Sequence, residues 1–356
     1  MTYLKCVPFN LPGTRPRGSH VHASVRFLFA VLPVLCLAQT PAIGPIEIYG
    51  ARSVPRTEIL KRLGTKEGGQ LPKSKGDVED RLAEIDNVLA AHLSAACCED
   101  GKAILYVGVL ERGSPLFEYH AEPVAEYVKA PLPVVAAYGT FLEAARQAGR
   151  AGGAGEDLSQ GHSLLADPAA RYLQLGFVGL AEEHKAALQK VMREAAIPED
   201  RAIAAYVLGY AKDKASVQND LQYALRDPDD TVRSNALRAI AAFAVYARKT
   251  PESGLKVSPT WIVEMLNSLV WTDRNNAAVA LVTLTEGRDE STLNQVRERA
   301  LPSVLEMARW RHLPHALPAF ILAGRIAGLS EEALQAAWKK EQREPVLKRA
   351  ASSGKR

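Results

Sequence analysis

The sequence is short of the features that usually declare chemistry. Aromatic residues make up only 6% of its 356 positions, and there are four cysteines. Two of these, Cys6 and Cys36, lie in the first 38 residues, leaving the adjacent pair Cys97-Cys98. Two neighbouring thiols without a further cysteine or a nearby histidine make neither a zinc site nor a multi-bridge framework. They read as two small residues at the start of a strand, one facing in and one out. The apolar run at 27–38, FLFAVLPVLCLA, is twelve residues broken by Pro33, too short for the ~20 residues of a spanning helix. Acid is absent from residues 1–38, which hold Lys5, Arg15, Arg17 and Arg26. Those four account for the net charge of +4, and from Gln39 onward 40 basic residues face 40 acidic ones. A balanced chain disfavours nucleic acid as a partner.

What is present begins with that leader. Arg26 is a positive flank, 27–38 an apolar core, and Cys36-Leu37-Ala38 a small-residue cleavage site, so residues 1–38 are expected to be a secretion signal cut before Gln39. Lipid attachment at Cys36 is the second reading, because Leu35 is bulky where such signals carry a small residue. A buried strand or helix is the alternative. Export implies a periplasmic or secreted protein, with a membrane involved only through export or envelope association. The remaining length suits about two to three domains.

Residues 44–113 read as one small unit. Pro45-Ile46-Glu47-Ile48-Tyr49-Gly50 alternates like a half-buried strand. Val54-Pro55 opens a helix with Ile59, Leu60 and Leu63 inward and Gly64 as its stop. Val78, Leu82, Ile85, Leu89 and Leu93 form a stripe at helical spacing, with Asp77 as the expected cap. Asp100-Gly101 marks a tight hairpin leading into a strand at 104–110. The order is β-α-α-β-β. With Ile46-x-Ile48-x-Gly50, the helix start after Val54 and the close Val107-x-Val109-x-Glu111, the segment resembles a POTRA domain. That resemblance implies binding of other polypeptides, often by strand addition at a sheet edge. No barrel-like run of alternating strands follows, so an outer-membrane pore is not expected.

Residues 114–164 read as a linker containing one helix at 134–148. The glycine cluster at 149–155 lacks the spacing of a dinucleotide loop and reads as a flexible turn. Gly161-His162-Ser163 suggests a nucleophile beside a base, but adjacent side chains do not reach each other in the needed geometry. Local loop bonding by Ser163, with Asp167-Pro168 opening the next helix, is the simpler expectation.

From 165 to 345 the chain repeats itself. Arg201-x-x-Ala204-x-x-x-Leu208, Arg233-x-x-Ala236-x-x-x-Ile240 and Arg274-x-x-Ala277-x-x-x-Leu281 share one pattern, each with Asp200, Asp230 or Asp273 just upstream. A polar insertion at 249–256 accounts for the longer second spacing, and a weaker copy lies near His315, Ala316 and Phe320. The unit Asp227-Pro228-Asp229-Asp230-Thr231-Val232-Arg233, followed by Ala236, resembles a HEAT repeat. This implies four to five stacked helical pairs with a long binding surface. The arginines are expected to pair with the aspartates inside each repeat. Ser330 starts a last helix at 334–341, and 346–356 reads as a disordered basic tail. His312 and His315, with Pro314 between them and no third ligand, are not expected to hold a metal.

The expected fold class is thus α+β: a small β-α-α-β-β (POTRA-like) domain followed by an all-α HEAT-like solenoid. No catalytic, cofactor-binding or metal-ligating set emerges, so the sequence predicts an exported binding or scaffold protein, not an enzyme. Its partners would be other proteins or peptides. The alternative is a HEAT-like nucleic-acid-binding or DNA-repair protein.

Overall fold

A computed structural model describes residues 41–353 except Ala154; the expected signal at 1–38 lies outside them. The protein is α+β, with a small mixed sheet at its N-terminal end and a mostly helical remainder. β1 (Ile43–Tyr49) is followed by α1 (Arg56–Leu63), α2 (Lys75–Ala83), β2 (Val88–Glu99) and β3 (Lys102–Glu111). The sheet runs β1-β3-β2, with β1 parallel to β3 (Ile48 opposite Val107) and β2 antiparallel to it (Leu93 opposite Val107). Gly64 ends α1 in the left-handed conformation, and Asp100 and Gly101 both carry positive φ in the hairpin, as a type I′ turn requires. Gly50 at the end of β1 has no substitute: a Cβ there would lie 2.1 Å from the Val109 carbonyl oxygen.

The long stripe is not one helix. α2 stops at Ala83, Asn87 takes positive φ, and Leu89 and Leu93 belong to β2. Residues four apart share a face in a strand as well as in a helix, so that spacing cannot separate the two. Ser74, not Asp77, caps α2, its hydroxyl accepting the Asp77 N–H at 3.2 Å. Asp77 instead adds favourable charge to the first turn.

Both faces of the sheet are covered. On one, Ile46, Leu93, Leu105 and Val107 pack against Ile59, Leu63, Val78 and Leu82 of α1 and α2. On the other, Tyr49, Ala96, Ile104 and Tyr106 belong to the apolar core of the helical region.

That region contains α3 (Leu132–Arg150), a two-residue β4 (Glu156–Asp157) paired with β5 (Leu164–Leu165), then α4 (Pro168–Glu194) and α5 (Pro198–Leu208). There follow α6 (Ala215–Ala224), α7 (Asp230–Lys249), α8 (Thr260–Met265), α9 (Trp271–Leu284), α10 (Glu290–Arg299) and α11 (Leu301–Met307). α12 (Leu313–Ile326), α13 (Glu331–Lys339) and α14 (Arg343–Ser353) complete it. Asp167, Asp229 and Ser330 cap α4, α7 and α13 with their side-chain oxygens. α5, α7, α9, α12 and α14 pack in succession, with α6 against α7, α8 against α9 and α11 against α12. α3 covers α4 and α5 at the start of this row. The tail from 346 is not disordered as far as Ser353: Val346, Leu347 and Ala350 are buried as one face of α14.

Candidate functional site

The arginines of the repeated motif sit at the same place, the fourth residue of α5, α7 and α9, and each is buried. Each takes its carboxylate from further along the chain, not from the aspartate just upstream. Arg201 forms a two-pronged pair with Asp227, both bonds at 2.8 Å. Arg233 does the same with Asp273 at 3.0 and 2.9 Å. Arg274 reaches Glu306 at 3.2 Å. Each also donates to a carbonyl six residues upstream: Arg201 to Ala195, Arg233 to Asp227 and Arg274 to Ser268. Each guanidinium therefore ties its own turn to a carboxylate carried by the next repeat unit. Asp200 and Asp273 immediately precede their arginines, and consecutive helical residues point about 100° apart, which forbids that local pairing. Asp230 stands three residues before Arg233, a spacing that permits a pair, but the Arg233 fork is taken by Asp273. In α12 the equivalent position is Ala316, and Arg343 of α14 supplies the missing donor to the Trp310 carbonyl at 2.9 Å.

Residues 114–130, expected as part of a linker, lie along this row of turns. Tyr119 bonds Ser268 at 2.9 Å and Asp273 at 3.1 Å while its ring lies under Arg233. The His120 N–H donates to the Arg226 carbonyl, Ala125 exchanges bonds with Glu194 and Ala196, and the Ala130 N–H donates to Asp200 at 3.0 Å. Val124 and Tyr127 of the strap and Leu132 at the start of α3 are 87%, 82% and 81% exposed, and Ile197, just before α5, is exposed too. Large apolar side chains exposed to this degree are available for contact with a partner. They were missed in the sequence because they follow no helical or strand period.

The sheet edges are less open than the sequence implied. Along β1, the Ile43 N–H donates to the Gly69 carbonyl, its own carbonyl accepts the Gly68 N–H, and Glu67 and Arg56 take the polar groups of Ile46. On β2, Glu79 accepts the Leu93 N–H at 2.7 Å. Glu79 also stands 3.3 Å from His92 Nδ1, and Ser94 Oγ lies 3.2 Å from His92 Nε2. These distances match a nucleophile, base and orienting acid. Burial, followed by Lys75, holds the imidazole down to about 4, however, leaving a weak base. With Lys75 3.5 Å away as well, Glu79 works as a clasp on the strand edge.

The other sequence candidates fall into structural roles. The Ser163 hydroxyl makes no bond, contrary to expectation; its carbonyl instead accepts from Gln174 at 3.1 Å and Tyr210 at 2.6 Å. His162 stacks on Tyr210 and its buried nitrogens are unpartnered; burial and then Lys214 hold it down to about 4. His315 turns Nδ1 to the Tyr106 hydroxyl, and its ring centroid lies 4.1 Å from that of His312. Burial keeps it neutral, at about 3. Cys97 and Cys98 lie at the end of β2, not the start of a strand, and are joined to each other as a disulfide. Of the glycine cluster, Gly149 and Arg150 end α3, and Ala151 and Gly152 form the turn after it.

Glu111, the last residue of β3, gathers the loop that leads into α1. It accepts the N–H groups of Arg52, Ser53 and Val54 at 2.8–3.0 Å and the Ser53 hydroxyl at 2.6 Å. Burial alone would raise its pKa, but these donors outweigh it and hold the carboxyl below its usual value. A carboxylate favoured in this way stabilises the fold above the pKa of the unfolded side chain, and the contribution is lost as pH falls through the lower, folded value. Glu111→Gln is therefore expected to cost about 1–3 kcal/mol at pH 7. Its deficit against the wild type should shrink below pH 4.5, the ordinary carboxyl value, when urea midpoints are followed from pH 7 to 3.

No family model matches the chain, and no curated protein matches it. Among the described residues, no helix is long and apolar enough to cross a membrane, and no group of three or more His, Cys, Asp or Glu side chains could hold a metal ion.

Proposed function

We propose that the chain is an exported binding or scaffold protein, periplasmic or secreted, that holds other polypeptides on its helical surface. The observation that carries this reading is the exposure of Val124, Tyr127 and Leu132, on a strap that backbone bonds fix to the ends of α4 and α5 and on the first residue of α3 that follows it. Rigid apolar and aromatic anchors of this kind are what a protein or peptide partner buries. The repeated, arginine-tied helices support a HEAT-like array, and the β1-β3-β2 sheet under two helices supports a POTRA-like module. With Glu79, Glu67 and the 66–70 loop occupying strand edges, that module serves to brace the array more than to accept an added strand. The nucleic-acid alternative loses its best cations, since Arg201, Arg233 and Arg274 are buried in internal pairs.

The test is capture from an envelope extract with the full chain as bait, beside a Val124→Asp/Tyr127→Asp/Leu132→Asp variant. The wild type should recover the same few polypeptides in every preparation, and the variant should lose most of them. Its circular dichroism and melting should stay unchanged, because surface substitutions of this kind cost little. Equal recovery by both proteins, or no reproducible recovery by either, would defeat the reading. Amino-terminal sequencing of the protein from fractionated cells tests the expected cut before Gln39.

A further inference from the structure

Where the sheet meets the helices, a cavity of about 160 Å³ opens between the loop after β1 and the turn before α9. It far exceeds the ~10–15 Å³ that one water needs, and it falls short of the ~300 Å³ of a drug-sized pocket. Its polar lining residues are Arg52, Ser114, Asn267, Arg274, Ser303 and Glu306. Asn267 and Ser303 satisfy each other at 2.8 Å. Glu306 is held by the Gly50 N–H at 2.9 Å and by Arg274 at 3.2 Å. Arg274 lies 4.7 Å from the centre of the Tyr49 ring and donates Nε to the Ser268 carbonyl.

The charges around this cavity do not cancel. Two guanidinium groups line it against one carboxylate, and Arg52 makes no ion pair among the described residues. Its backbone N–H is fixed to Glu111 at 2.8 Å, which anchors the root of the side chain at the cavity's exposed rim. Burial lowers the pKa of Arg274; Glu306 and Tyr49 oppose the lowering, and the nearby Arg52 adds a smaller push in the same direction as burial.

We propose that this cavity binds a small oxyanion of a few heavy atoms, held between Arg52 and Arg274, and that the anion clamps the sheet module to the helical region. Guanidinium groups recognise planar and tetrahedral oxyanions through paired, charge-assisted bonds. A ligand bound only by the folded, docked form stabilises it by mass action. Ser114 and Pro115, where the strap begins, form part of the cavity lining, but none of the exposed residues Val124, Tyr127 and Leu132 does, so the anion proposal stands or falls independently of the partner reading.

The experiment is isothermal titration of the full chain with inorganic phosphate and, separately, with acetate, at constant ionic strength balanced with chloride. Melting curves are recorded in the same solutions. Saturable binding of either anion with a raised melting temperature is expected, with binding about tenfold weaker in Arg52→Ala and intermediate in Arg52→Lys. Phosphate alone would assign the site to tetrahedral oxyanions, and acetate alone to carboxylates. Glu306→Gln removes the competing negative charge and should tighten binding. Absence of saturable binding by the wild type, unchanged affinity in Arg52→Ala, or unchanged or weaker affinity in Glu306→Gln would each overturn the proposal.

Discussion

Replacing Arg233 with alanine is expected to destabilise the protein by about 3–5 kcal/mol, the range for breaking a buried ion pair from one side. The side chain is 1% exposed and its removal strands several groups at once. Asp273, equally enclosed, loses both of its guanidinium bonds. The carbonyls of Asp227 and Pro228 lose donors at 2.7 and 2.9 Å, and the Tyr119 ring loses the cation stacked 4.4 Å from its centre. The remaining Ser268 and Tyr119 hydroxyls cannot neutralise the Asp273 carboxylate. Arg193→Ala supplies the contrast. Arg193 also pairs with an aspartate, Asp220, but its side chain is 40% exposed, and loss of such a pair costs roughly 0–1 kcal/mol. Urea unfolding of the two variants should therefore differ by several kcal/mol, although each loses one arginine–aspartate pair. If Arg233→Ala unfolds with the midpoint of Arg193→Ala, the arginines do not tie the repeats together.

Arg233 also shows how far the sequence could be read. The motif placed the arginines correctly at the starts of α5, α7 and α9, and the helix-opening residues Asp167 and Ser330 do cap their helices. The partner of each arginine was hidden, because Asp227, Asp273 and Glu306 lie 26, 40 and 32 residues away. The neighbouring aspartates were tempting only in one dimension: Asp200 beside Arg201 faces a different direction and holds the Ala130 N–H instead. The same ambiguity joined Leu89 and Leu93 to α2, since a four-residue interval is compatible with both periods. One error was avoidable. Val346, Leu347 and Ala350 repeat at helical spacing, and that pattern marks α14 more strongly than the basic composition marks a disordered tail. The strap and the junction cavity left no local trace, because both are made by residues brought together from distant parts of the chain.

The second large effect is expected at that junction, where Trp310 lies between the two parts of the molecule. Its ring is T-shaped against Tyr106 of β3 at 5.1 Å and against Tyr49 of β1 at 6.0 Å. Tyr106 in turn stacks on Trp271 at 4.3 Å and bonds His315. The Tyr49 hydroxyl donates to the Leu269 carbonyl at 2.7 Å, and burial pushes its pKa well up, so it remains a donor. Gly108 makes this approach possible: a Cβ there would stand 2.5 Å from the Leu269 oxygen and 2.7 Å from the Tyr49 hydroxyl. A buried indole replaced by alanine costs about 3–5 kcal/mol, but here the loss falls on a contact between two cores. The sheet has its own apolar core under α1 and α2, so Trp310→Ala should weaken the coupling between two units that each retain a centre. Hydrogen exchange followed by mass spectrometry reads this directly. In the wild type, peptides from β1 and β3 should open together with peptides from α9 and α12. In Trp310→Ala the sheet peptides should exchange through a separate, earlier opening, while Trp310→Phe, which keeps a ring between the tyrosines, should preserve most of the common behaviour. Joint opening in the alanine variant, at undiminished stability, would mean that the aromatic junction does not hold the two units together.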